Sequence, residues 1–196
     1  MVIADKNDKN RVVEILSLSF YDNLSVNYII GHKQSSKRIR ALMEYSFEQC
    51  YLFGNVYLSD DKNACALILY PQKIRISFKA IWLNIRLIFK AIGVSRIFKA
   101  LKRESAIKKL HPEIDMAYLW FIGVDPLEQH KGCGSALLTD ILAMANNLNL
   151  PIFLETSTLK NLPWYERFGF EVYHKLDLTY TLFFLKKVFD VRDGGI

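Results

Sequence analysis

The stretch Val124-Asp125-Pro126-Leu127-Glu128-Gln129-His130-Lys131-Gly132-Cys133-Gly134-Ser135-Ala136-Leu137-Leu138 carries residue types whose spacing suits chemistry. It sits between an apolar run and a segment of helical periodicity, so Gly132 to Ser135 falls at a helix start. Backbone N–H groups there lack intrahelical partners, and the helix dipole places about half a positive charge at that end, so an anion is favoured. Gly132 and Gly134 let a pyrophosphate approach the backbone closely, while His130 and Lys131 add side-chain donors. A Gly-x-Gly alone is a weak sign. A dinucleotide site of the G-x-G-x-x-G kind needs a third glycine where Leu137 stands, and lies early in its fold. A P-loop needs Gly-Lys-Ser/Thr where the chain has Gly134-Ser135-Ala136.

Downstream lie Leu154-Glu155-Thr156-Ser157 and then Asn161-Leu162-Pro163-Trp164-Tyr165-Glu166-Arg167-Phe168-Gly169-Phe170. Tyr165 is a phenol of reference pKa about 10, protonated at neutral pH and able to act as a general acid. Glu155 closes a short strand and is a candidate proton acceptor; His111 and Asp115 are weaker ones. Cys133 as a nucleophile would need a base, and His130 is the only histidine near it in sequence, so a thiol mechanism is set aside. Trp120, Phe121 and Trp164 either line an acceptor pocket or pack in the core.

Gln129, Gly132 and Gly134 match motif A of the GNAT acetyltransferases, Q/R-x-x-G-x-G/A, and Tyr165 to Phe170 resembles the family's later Y-x-x-x-G-F segment. The resemblance covers about Met116 to Val172. It implies an α/β (α+β) fold: a mixed, mostly antiparallel central sheet flanked by helices, with a splayed strand pair that binds coenzyme A. It implies acetyl-CoA as co-substrate, no metal, and direct acetyl transfer to an amine. Backbone groups of Ile122 and Val124 would pair with the pantetheine arm, and the amides from His130 to Ser135, Cys133 included, would hold the pyrophosphate. Gln129 and Asn161 would complete the coenzyme site, with Tyr165 as the acid. The family's strand carboxylate is missing, since Tyr118, Leu119, Trp120 and Phe121 occupy that strand, which leaves Glu155 as the base or an amine that binds already neutral.

The chain of 196 residues is 51% apolar, enough for one domain with a full core, expected over 1–196. Three cysteines without CxxC spacing argue against a disulfide framework or zinc site, and with no secretory signal in Met1 to Asn10 a reducing, cytoplasmic setting is expected. Helical spacing recurs in Val12, Ile15, Leu16 and Phe20 and again from Ile39 to Cys50; a hairpin is expected at Asn55 to Ser59 and Ala64 to Tyr70. Met116 to Val124 reads as a strand buried on both faces. It opens a strand, helix, strand crossover ending at Pro151 to Glu155, and two strands follow near Phe170 to Leu176 and Thr179 to Lys186.

Between the hairpin and the strand that starts at Met116 lies a basic helical insertion at about 73–110, where Lys73 to Lys109 holds eleven Lys and Arg against the single acid Glu104. Phe78, Ile81, Trp82, Ile85, Ile88, Phe89 and Ile92 share one face and are expected in the core, as are Ile97, Phe98 and Leu101. Such a pair of helices over the acceptor site would disfavour a polycationic substrate and favour a small amine bearing a carboxylate or phosphate. Alternatively the chain is a GNAT-fold acyl-CoA-binding protein, or one that docks on a membrane or partner through these helices. Nucleic-acid binding is not expected, because no recognised motif accompanies the charge; a monomer and a homodimer are both open.

Overall fold

The computed structural model describes residues 1–31 and 35–189; residues 32–34 and 190–196 of the expected 1–196 unit lie outside them. Three helices come first: α1 (Lys9–Ser19), α2 (Leu24–Ile30) and α3 (Ser36–Phe53). The apolar positions of α1 and α3, Val12, Ile15 and Leu16, and Ile39, Leu42, Met43, Phe47 and Cys50, are all buried, so the 3.6-residue stripe sets the packed face. Helix α2 escapes that pattern because it is only two turns long. Local chemistry defines it instead: the Asn23 side chain accepts from the Val26 N–H at 3.0 Å, and Gly31 ends it at φ +75°.

Seven strands, β1 (Val2–Ile3), β2 (Gly54–Leu58), β3 (Ala64–Leu69), β4 (Ala117–Val124), β5 (Ile152–Thr156), β6 (Glu171–Asp177) and β7 (Thr181–Lys187), form one open sheet in the order β1-β2-β3-β4-β5-β7-β6. All neighbours are antiparallel except β4 and β5. That parallel pair is joined by α6 (Cys133–Asn147), as a crossover requires. One core lies between the sheet and α1, α2 and α3. A second lies on the opposite face, under α6 and α7 (Leu162–Arg167).

The centre of the sheet is irregular. Leu67 pairs with Phe121 and Ile68 with Leu119, so Trp120 is an extra residue in β4, a β-bulge. Before the bulge Ala117 and Leu119 pack on the α6 side; after it Ile122 and Val124 do, while Phe121 packs toward α1 and α3. Strand pairing between β4 and β5 is confined to Ala117 with Ile152 and Tyr118 with Phe153. Beyond that step the strands part. Burial along β4 alternates rather than being complete as expected, because Tyr118, Trp120 and Ile122 border the resulting cavity.

The insertion also departs from expectation. Helix α4 (Phe78–Leu87) runs through a π-helical turn, Ile88–Ile92, to Gly93 at φ +85°, and α5 (Ile97–Leu110) follows. Leu83 alone is buried in α4, while Phe78, Ile81, Trp82, Ile85 and Phe89 are exposed. Phe98 and Leu101 are exposed too; α5 buries Ala100, Arg103 and Ile107 instead. The reason is polar: Arg86 reaches Glu44 at 2.7 Å and Lys79 reaches Glu48 at 3.3 Å. These pairs turn the cationic side of α4 onto α3 and its apolar stripe outward.

Asp125, at the end of β4, caps the following turn by accepting from the Leu127 N–H at 3.1 Å and pairs with Arg11 at 2.8 Å. Those two contacts hold its carboxyl below the usual carboxylate range. Asp125→Ala should lower stability in chemical denaturation by about 1–3 kcal/mol, with part of that loss absent in an Arg11→Ala background. A folded-state value depressed below the unfolded one means that the contribution is present above about pH 4 and fades as pH falls through the depressed value.

Candidate active site

Helix α6 begins at Gly132, whose φ of +89° is left-handed, and no side chain caps its first turn. A Cβ at Gly132 would meet nothing within 4 Å, so the front of the helix is open to a ligand and its leading N–H groups are available. His130, also left-handed at φ +64°, shapes the same turn. At Gly134 a Cβ would stand 3.1 Å from Val124 Cγ2, so glycine there lets α6 sit close against β4. Trp164 on α7 donates from Nε1 to Ser135 Oγ at 3.0 Å, which ties the helix start to the segment carrying Tyr165. The residues present therefore fit a pyrophosphate at this turn.

The flanking groups are partly committed. Lys131 Nζ lies 2.9 Å from Glu128, Gln129 Nε2 donates weakly to the Val124 carbonyl at 3.4 Å, and Ser19 Oγ donates to that same carbonyl at 2.7 Å. Gln129, His130 and Lys131 are exposed on the turn, whereas Ile122 and Asn161 line the cavity. Cys133 is half-buried, and its thiol makes a long contact of 4.0 Å to Asp61.

The cavity occupies the fork between β4 and β5, with a volume of about 210 Å³. Phe20, Tyr45, Tyr118, Trp120 and Phe121 give it aromatic walls, and Leu87, Ile92, Ala100, Arg103 and Ile107 of the insertion close one side. The rings are mutually braced: Tyr45 meets Trp120 edge-on and Tyr118 stacks on Trp120. Tyr45 also donates to Asn84 at 2.8 Å, and burial pushes its phenol up to about 12. Arg103 is the one member of the basic block on this wall. Its guanidinium is bound by Glu104 (2.6 Å), Ser25 (2.6 Å) and Tyr180 (3.1 Å).

Glu155 projects from β5 into the wall, and both its oxygens are held. The Tyr118 hydroxyl donates to Oε2, and His111 Nε2 is hydrogen-bonded to Oε1. Burial first, and then the Glu155 charge, raises the Tyr118 phenol well above its ordinary value, so it stays a donor. Tyr165 faces the same cavity from α7 with its ring against Trp164 and Phe170. Its hydroxyl has no hydrogen-bond partner among the described residues, and burial pushes its pKa up. Ser157 Oγ, on the cavity wall, is buried without a partner among the described residues, and a polar ligand group would satisfy it.

Sequence reasoning thus finds Glu155 and Tyr165 at one cavity. It undervalues His111 and misses Tyr118 as a partner of the carboxylate. Their link to Glu155 joins three separate segments, and spacing along one chain does not reveal it. Asp115 is exposed and outside the cavity lining. Among the described residues no group of three or more His, Cys, Asp or Glu side chains is arranged to hold a metal ion, and no helix is long and apolar enough to cross a membrane.

Residues 90–172 match the family model described as an acetyltransferase (GNAT) domain. A 62-residue stretch is 42% identical to an uncharacterized N-acetyltransferase of Schizosaccharomyces pombe; the match covers 32% of this chain and a quarter (25%) of that relative's length. The fold resembles that of a protein named histone acetyltransferase HPA2 and related acetyltransferase, from Corynebacterium glutamicum, with a TM-score of 0.71, 21% identity and 97% of each chain covered. It also resembles arylalkylamine N-acetyltransferase 2 of Aedes aegypti, with a TM-score of 0.63, 16% identity, and 95% of this chain and 97% of that one covered. At such identities these two likenesses speak to the fold. The match to the acetyltransferase (GNAT) domain model thus covers the β4, α6, β5 and α7 segment, and the likeness of fold to the two solved acetyltransferases extends over nearly the whole chain.

Proposed function

We propose that the chain is an acetyl-CoA-dependent N-acetyltransferase acting on a small amine that carries a flat apolar group. The observation that carries this reading is the aromatic cavity in the β4–β5 fork, with Glu155 and Tyr165 on its wall and the uncapped start of α6 packed against the same strand. Acetyl-CoA, when bound, supplies the acetyl thioester. The N–H groups at Gly132 to Ser135 hold its pyrophosphate without a metal. Ile122 and Val124 offer backbone along the arm where β4 has left β5, and Gln129, His130, Lys131 and Asn161 surround it.

Glu155 takes the proton of the incoming ammonium, directly or through a water. A carboxylate has about four acceptor positions, so the bonds from Tyr118 and His111 orient Glu155 and leave it room to accept another. Tyr165 gives its Oη proton to the departing sulfur. Its raised pKa makes it reluctant to ionise and keeps it in the acid form at neutral pH. The acceptor follows from the walls: aromatic faces suit a planar group. The expected recognition of a carboxylate or phosphate by the basic block has little support, since Arg103 alone reaches the cavity and is already bonded.

Glu155→Gln should lower kcat about 10²–10⁴-fold while calorimetric titration shows unchanged acetyl-CoA affinity, and the loss should shrink at high pH as the free amine becomes neutral. Tyr165→Phe should cost about 10²-fold in kcat, again with acetyl-CoA binding intact. In the wild type, Tyr165 should impose no alkaline decline in rate up to about pH 10. In an amine screen, arylalkylamines should saturate at lower concentration than alkylamines of similar length. Trp120→Ala should erase that difference by raising the KM of the aromatic acceptors alone.

A further inference from the structure

We propose that the outer face of the α4–α5 insertion is a docking surface for an anionic lipid bilayer. Phe78, Ile81, Trp82, Ile85 and Phe89 form one stripe at helical spacing, with Phe78 95%, Trp82 63% and Phe89 72% exposed. Ile74 and Ile76 lead into it, Val94 follows it in the turn before α5, and Phe98 and Leu101 continue exposed apolar residues along α5. An apolar array of this size, on helices that bury so little, is unusual for a surface in contact with water alone.

Charge selects the occupant. The segment from Lys73 to Lys109 nets +10, so the rest of the chain nets −4 of the total +6. Lys79, Arg86, Arg96 and Arg103 are bonded inward. Lys102, Lys108 and Lys109 are exposed and have no carboxylate partner among the described residues, whereas Lys90 faces α3 beside Glu44 and Glu48. Aromatic and aliphatic side chains beside unpaired lysines are what an amphipathic helix lying in a headgroup layer presents. A second copy of this chain fits poorly, because a two-fold contact would bring two such positive faces together. Nucleic acid gains from aromatic stacking and cations, yet the aliphatic members Ile76, Ile81, Ile85 and Leu101 have no base to pair with. The insertion would then have two working sides. Leu87, Ile92, Ala100 and Ile107 close the cavity while the opposite side meets lipid.

The full chain is tested by flotation with vesicles of phosphatidylcholine alone and with phosphatidylserine added, at low and high salt. The expected result is binding to the phosphatidylserine vesicles that weakens with salt. It should fall at least about tenfold both in Trp82→Asp/Phe89→Asp and in Lys102→Glu/Lys109→Glu. These positions are exposed, so circular dichroism and acetyl-CoA titration should remain as in the wild type. Absence of wild-type binding, equal binding to neutral vesicles, or undiminished binding by the variants would overturn the proposal. So would a concentration-dependent dimer abolished by Trp82→Asp/Phe89→Asp, since the face would then belong to a second copy.

Discussion

The parting of β4 from β5 after Tyr118 is the constraint on which the site depends. Two paired residues hold the strands together, and then the Trp120 bulge bends β4. A regular ladder would have consumed the backbone groups of both strands and filled the space between them with side chains. The fork instead leaves a cavity whose walls come from two strands and whose floor is the aromatic cluster about Trp120. Gly134 lets α6 lie against the free length of β4, which brings the helix start and the cavity to the same strand.

Within that frame, Glu155 and Tyr165 have contrasting surroundings. Glu155 is placed where two donors fix both oxygens, whereas Tyr165 is enclosed by aromatic rings and its hydroxyl has no partner among the described residues. In the proposed reaction Glu155 would take a proton and Tyr165 would keep one until it is needed. The carboxylate that the family resemblance expects on the strand before motif A is absent. Tyr118 stands on that strand and binds a carboxylate from the adjacent one, so the negative charge arrives from β5.

Residues whose role is encoded locally were legible in the sequence. Periodicity marked α1, α3 and α6, the glycine turn marked the helix start, and the order of apolar runs marked the sheet. Helix α2 was not legible because a seven-residue helix has too few turns to show a period, and its cap is a single Asn23 contact. The apolar stripe of α4 misled, since a 3.6-residue pattern shows that a helix has two faces and not which one points inward. Ion pairs from Lys79 and Arg86 to α3 decide that. The Tyr118–Glu155–His111 cluster is likewise tertiary, made by residues from three segments.

The central claim is that coenzyme and acceptor share the β4–β5 fork. Amide hydrogen exchange read by mass spectrometry, with and without acetyl-CoA, tests it most directly. The account predicts slowed exchange in peptides spanning 119–124 and 129–136, along the open edge of β4 and the first turn of α6, with any further protection limited to the cavity wall at 155–165. Protection appearing elsewhere, or no protection at either segment under saturating acetyl-CoA, would contradict it.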